Sequence, residues 1–246
     1  MEAGEMRRHI FWRNLRLWGR SAAYAQGSLL FATLCGTAVM CFLSSPNKPM
    51  VYYCWAIFYY IMMEMIGMLV QQMGYTNRQY PLAIAFGSGR MESVYGMQLS
   101  NLLFGISSIL MFGIFMAAGQ NLYSYETGGL RMEITAKLIM YAEMVIVALA
   151  FGQLMAVFSL KKERRNDVYL ICFVIISAII VIGGVVVIFF GWEIFEILQI
   201  VNKERELSQN IARLSPMVCH GFGGLGVLLY LIGFFKLKDV MQEYEV

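Results

Sequence analysis

The sequence predicts an all-α protein built into a membrane, and three observations carry that prediction. Six long apolar runs are separated by short charged segments within 246 residues. Hydrophobic residues make up 59% of the chain and charged residues 14%, with a mean hydropathy of +0.62, whereas soluble domains carry about 25% charged residues. The runs are continuous, as membrane helices require, and do not alternate residue by residue as barrel strands do. A hydrocarbon core of about 30 Å takes roughly 20 apolar residues per helix, so six crossings and their loops occupy nearly the whole chain. The expectation is one polytopic domain, 1–246, with six transmembrane helices, an N-terminal interfacial helix and short extracytoplasmic helices before the last span.

Residues 1–22 contain RRHIFWRNLRLWGR, which puts Phe11, Leu15 and Trp18 on one helical face and Arg13, Arg16 and Arg20 on another. This is the pattern of a helix lying at a membrane surface. It suits a seat on the inner leaflet, a docking face for a cytoplasmic partner, or a simple topology anchor. The first span is Tyr24 to Leu43. It is read as a retained helix, because Phe42-Leu43-Ser44-Ser45-Pro46 lacks a small-x-small cleavage site.

The second span, Met50 to Gln71, carries Glu64, and an ionisable side chain at that depth costs several kcal/mol to insert. Such a residue faces protein or water. Tyr60, Glu64, Gly67 and Gln71 fall at i, i+4, i+7 and i+11, a polar and partly small stripe that either lines a substrate path or forms a helix interface. Residues 72–93 follow as a cytoplasmic loop with structure of its own. Gly74 and Asn77 suit a helix end, Pro81 can open a short helix, and Gly87-Ser88-Gly89 permits a sharp turn. Leu82, Ile84 and Phe86 are apolar residues in a segment that ought to be wet, so they dock on a partner or rest against the bilayer and neighbouring helices.

The third span is Val94 to Ala118, the fourth Lys137 to Leu160 and the fifth Val168 to Phe190. Glu143 and Gln153 make the fourth a weaker candidate for a polar role. Residues 191–216 are too patterned for a passive connector. Trp192, Phe195 and Leu198 share a face, as do Leu207, Ile211 and Leu214, which predicts two short helices at the outer interface before Pro216 opens the sixth span, Met217 to Phe235. That span contains GFGGLG from Gly221 to Gly226. With no strand before it, the motif does not mark a dinucleotide site; small residues there allow close helix packing.

An even number of spans puts both termini on one side. Thirteen Lys and Arg residues share that side, including Arg7, Arg8, Arg78, Arg90, Lys161, Lys162, Lys236 and Lys238, against six on the other. Cytoplasmic loops carry the excess, so both termini are expected in the cytoplasm of a cell-membrane protein. The net charge of +3 reflects this topology and not a nucleic-acid partner.

The sequence argues against several chemistries. Cys35, Cys41, Cys54, Cys172 and Cys219 all lie in apolar spans without C-x-x-C spacing, and read as small buried hydrophobes. His9 and His220 are the two histidines, too few for a histidine metal site, and His220 reads as a structural hydrogen-bonding residue. There is no H-E-x-x-H motif and no Gly-Lys dipeptide, hence no P-loop. No enzymatic activity, cofactor or metal is expected in this chain.

The layout resembles the ATP-binding-cassette type-2 permeases: a basic interfacial N-terminal helix, six spans with cytoplasmic termini, a helical second-to-third-span loop and short outer helices before the last span. Within LAIAFGSGRMESVYGMQ, Phe86, Gly87 and Arg90 are similar to the Phe-Gly turn and Arg that lead into the third span in small bacterial members. Gly89 and Met91 stand where members often have Ser or Thr and a second basic residue. The resemblance implies the membrane half of an exporter, with a separate P-loop ATPase subunit holding ATP and Mg, and a second permease copy or related permease completing the path. It implies that Gln79 to Glu92 is the coupling element, with Gln79, Leu82, Ile84, Phe86, Gly87, Arg90 and Glu92 facing the ATPase. Family members move peptides, drugs or lipids, often in antimicrobial peptide resistance. Two other readings stay open: a secondary transporter or channel that uses Glu64, and a non-transporting sensor or scaffold.

Overall fold

A computed structural model describes residues 3–44, 49–75, 79–85, 87–126, 134–160 and 205–243. Among these residues the protein is all-helical, with no strand. Five long helices, α1 (Ala3–Ser44), α2 (Pro49–Gly74), α4 (Arg90–Glu126), α5 (Ile134–Leu160) and α6 (Arg205–Glu243), form a bundle, and the short α3 (Tyr80–Ala85) joins α2 to α4. Four of them contain a segment long and apolar enough to cross a membrane: Trp18–Val39, Arg90–Gln120, Ile134–Val157 and His220–Val240. These segments overlap the first, third, fourth and sixth predicted spans, and the second, Met50 to Gln71, is not among them. The fifth predicted span, Val168 to Phe190, and the first part of the following segment lie outside the described residues.

Two boundaries differ from the sequence expectation. The N-terminal amphipathic segment and the first span are one unbroken helix of 42 residues, about 63 Å at 1.5 Å per residue, because no Gly-Pro or turn signal separates the two patterns. The arginine-bearing part and the apolar part therefore share an axis. At the other end of the chain α6 runs through Pro216 without a break, so this proline does not open the last span. It lacks the N–H that would reach the carbonyl four residues back. Membrane helices tolerate such a gap when neighbours or a local adjustment satisfy the freed carbonyl.

Packing is set by small residues where helices approach closely. In α6, a Cβ at Gly226 would stand 2.8 Å from Val147 Cγ2 and 3.2 Å from the Val147 backbone, and one at Gly223 would stand 2.8 Å from Glu143 Cγ. Gly221 and Gly224 have nothing within 4 Å. Half of the GFGGLG glycines thus make the α5–α6 contact expected of them and half face outward. Gly67 of α2 is filled by Leu29 of α1, and Gly152 of α5 by Gln72 of α2. Cys35, expected as a buried hydrophobe, is a free thiol on the outer face of α1.

The core has two parts. One fills the middle of the bundle with Ile57, Tyr60, Ile61, Met65 and Met68 of α2, Phe104, Phe112 and Met116 of α4, and Tyr141, Val145, Ala148 and Leu149 of α5. The other closes the end of the bundle at which α3 lies.

Candidate functional site: an end platform and a buried polar core

The residues of the second-to-third-span connection build a compact platform. Pro81 sits in the first turn of α3, where its missing N–H costs no hydrogen bond. The helix stops at a Schellman turn: Gly87 N–H donates to Ile84 O (2.9 Å), Ser88 N–H donates to Ala83 O (3.0 Å), and Gly87 adopts φ +82°. Glycine takes that left-handed conformation without the Cβ clash other residues meet. Helix α4 then begins at Arg90, and Glu92 reaches back to accept a long hydrogen bond from Gly89 N–H (3.4 Å), half of a capping box.

This short helix packs against α4 and shares one buried cluster with all five long helices. Tyr80 and Ala83 pack with Trp18 of α1, Tyr75 at the end of α2, Val94 and Met97 of α4, Ala156 and Val157 of α5, and Leu237 of α6. Trp18 is fully buried and stacks on Tyr75 with centroids 5.4 Å apart. Arg13, Arg16 and Arg20 stay exposed, as the amphipathic pattern requires. Gln79 donates to Ser21 Oγ (2.6 Å), tying the start of the connection to α1. Gln71 donates to the Tyr75 hydroxyl, which in turn donates to Trp18 O (3.4 Å). Burial pushes the Tyr75 hydroxyl up to about 12, against the opposing pull of the Gln71 hydrogen bond, so it keeps its proton and serves as that donor. Facing away from the bundle, Leu82 is 49% exposed, and Gly87 and Arg90 are exposed beside it. Of the predicted coupling residues, Gln79 and Ile84 therefore face inward or sit half-buried, Leu82, Gly87 and Arg90 form an outer face, and Phe86 lies outside the described residues.

Deeper in the bundle, polar side chains from different helices meet. Gln98 of α4 accepts hydrogen bonds from Gln153 of α5 and from the Tyr230 hydroxyl of α6 (2.7 Å), and Gln72 donates to Leu149 O (2.9 Å). Nearer the middle, Glu64 is fully buried. Gln26 of α1 donates to its Oε1 at 2.5 Å, Ser108 of α4 hydrogen-bonds the carboxyl, and Tyr60 of α2 and Tyr141 of α5 lie close enough to feel its charge. The Tyr60 hydroxyl donates to Ser108 O (2.9 Å), and Ser108 Oγ and Tyr141 Oη are 2.6 Å apart. Tyr60 and Glu64 of the predicted stripe thus share one cluster, while Gly67 meets α1 and Gln71 joins the platform. Gln26, Ser108 and Tyr141 went unnoticed in the sequence. At the opposite end, His220 of α6 pairs with Glu143 of α5 through Nδ1 and Oε1 at 2.5 Å, so His220 does have the structural partner its isolation in the sequence suggests.

No group of three or more His, Cys, Asp or Glu side chains stands ready to hold a metal among the described residues. No protein-family model matches the chain, and neither does any curated protein or solved structure.

Proposed function

We propose that this chain is the membrane-embedded permease subunit of an exporter driven by a separate P-loop ATPase, with a second copy or a related permease completing the path. The observation that supports it is the way α3 is held. A coupling element must be exposed enough to be gripped and stiff enough to pass a displacement on. The α3 platform meets both needs: Leu82 and Arg90 lie on its outer face, and its buried residues belong to one cluster with side chains of all five long helices. A push on α3 is passed to the helices whose side chains share this buried cluster.

The Lys/Arg excess places α3 and both termini in the cytoplasm. In this reading α2 crosses as well, since its 26 residues span about 39 Å. Its Glu64, Gln71 and Gln72 are buried against protein, so the helix does not present them to lipid. The substrate is amphipathic, of the peptide, drug or lipid kind. Export is tested by ATPase capture: Leu82→Asp places a charge on the exposed face of α3 and is expected to abolish co-purification of the ATPase while leaving membrane insertion intact. Capture at the wild-type level would refute the docking role.

One observation favours a second reading. Glu64 is the kind of intramembrane carboxyl that gradient-driven transporters use. Transport that survives ATP depletion but collapses with the ion gradient would establish that alternative.

A further inference from the structure

Glu64 is only half satisfied where it lies. Its Oε1 accepts from Gln26 and Ser108 also hydrogen-bonds the carboxyl, but no donor stands within hydrogen-bond distance of its Oε2 or of the Oε1 of Gln26, both buried, among the described residues. No basic side chain is among the groups that act on this carboxyl. The site is 15 residues from the start of α2, about 22 Å along a helix that is about 39 Å long, so water is not close at hand. A buried acceptor without a donor is destabilising, the more so if it is charged. A binding function explains why the chain keeps it.

The surroundings indicate what would bind. Two acceptor oxygens are free in one hydrogen-bonded pair, which calls for a donor. The surrounding core is aromatic: Phe112 stacks on Tyr141 with centroids 4.2 Å apart, and Phe115 lies 5.0 Å from Tyr60. Ring faces attract cations, and more strongly in a desolvated site. Met65, Met68 and Met116 pack in the same core, and their flexible thioethers adapt to irregular apolar shapes. A donor that is positively charged and carried on an apolar body matches each of these features at once.

We infer that Glu64, Gln26 and the Tyr60–Ser108–Tyr141 hydroxyl cluster form the binding site for the N–H-bearing cationic group of an amphipathic organic cation. The inference rests on the exporter reading for its meaning as a substrate station, but its test needs no ATPase. Purified chain in nanodiscs of zwitterionic lipid is titrated with ethidium, a lipophilic cation with N–H donors, and with Nile red, a neutral dye of similar size. Glu64→Gln keeps the side-chain shape and the Gln26 contact. Removing one partner of a buried charge pair weakens binding, so ethidium affinity should fall by about tenfold or more, with Nile red affinity changed less than about twofold. In the wild-type chain, bound ethidium should also slow modification of Glu64 by dicyclohexylcarbodiimide, read by peptide mass, which requires no variant to fold. Absence of saturable ethidium binding to the wild type, equal binding by Glu64→Gln, or carbodiimide labelling indifferent to ethidium would each overturn the inference. Intact ethidium binding with no ATPase capture would overturn the exporter reading alone.

Discussion

Two glycines two residues apart in α6 should respond to the same substitution with opposite signs. At Gly226 an added Cβ lies 2.8 Å from Val147 Cγ2 and 3.2 Å from the Val147 Cα and N. The side chain can rotate away, but the backbone cannot, so α5 and α6 must separate by several tenths of an ångström to restore contact. Overpacking of that kind costs about 1–3 kcal/mol, partly offset by the gain of about 1 kcal/mol in helix propensity from Gly to Ala. Gly226→Ala should therefore lose on the order of 1 kcal/mol, or about 2–4 °C for a chain of this size. At Gly224 nothing stands within 4 Å, so only the propensity gain remains and Gly224→Ala should hold or raise the melting temperature. Thermal unfolding of both variants in one detergent decides the matter. If both shift the same way by similar amounts, the α5–α6 contact is not made by the face assigned to it.

Other perturbations reach the platform and the polar core. Gly87→Ala forces a Cβ into the left-handed region at φ +82° and should destabilise the α3 turn by about 1–2 kcal/mol, visible as faster proteolysis of the α3–α4 connection; unchanged cleavage would contradict the Schellman geometry. Trp18→Ala removes a fully buried ring stacked on Tyr75 and should cost about 3–5 kcal/mol, releasing the N-terminal part of α1 to hydrogen exchange, whereas unaltered exchange there would exclude the docking described. Tyr60→Phe and Tyr141→Phe each delete a hydroxyl bonded at Ser108 and should cost about 1 kcal/mol apiece. Because both act on one serine, a double-mutant cycle should show a coupling of about 0.5–3 kcal/mol; strict additivity would mean that they do not share a network.

The helices were legible because a bilayer imposes a single strong pattern, a continuous apolar run. The short α3 was legible for a different reason. Pro81 and Gly87 are each restricted to few backbone conformations, and together they bracket a helix of six residues. Glu64 stood out because a charge in an apolar run is costly wherever it points. Its partners did not. Gln26, Ser108 and Tyr141 come from three other helices, and Gln26 is 38 residues away in sequence; serine and tyrosine are ordinary in membrane helices, and periodicity within one helix does not say which neighbour its face will meet. The same limit applies to GFGGLG, where composition signals close packing but only the α5 surface decides that Gly223 and Gly226 face it. Pro216 misled for a local reason. Its helix-breaking tendency was weighed without the long helical sequence on both sides, which carries α6 through it.

Coupling to an ATPase is the claim on which the functional account turns. It is tested most directly by purifying the tagged wild-type chain and its Leu82→Asp variant from native membranes in mild detergent, and identifying stoichiometric partners by mass spectrometry. The account predicts a P-loop ATPase with the wild type and none with the variant, both chains being equally abundant in the membrane. Reproducible absence of such an ATPase from the wild type, under conditions that preserve known membrane complexes, would contradict it and turn attention to gradient-driven transport through Glu64.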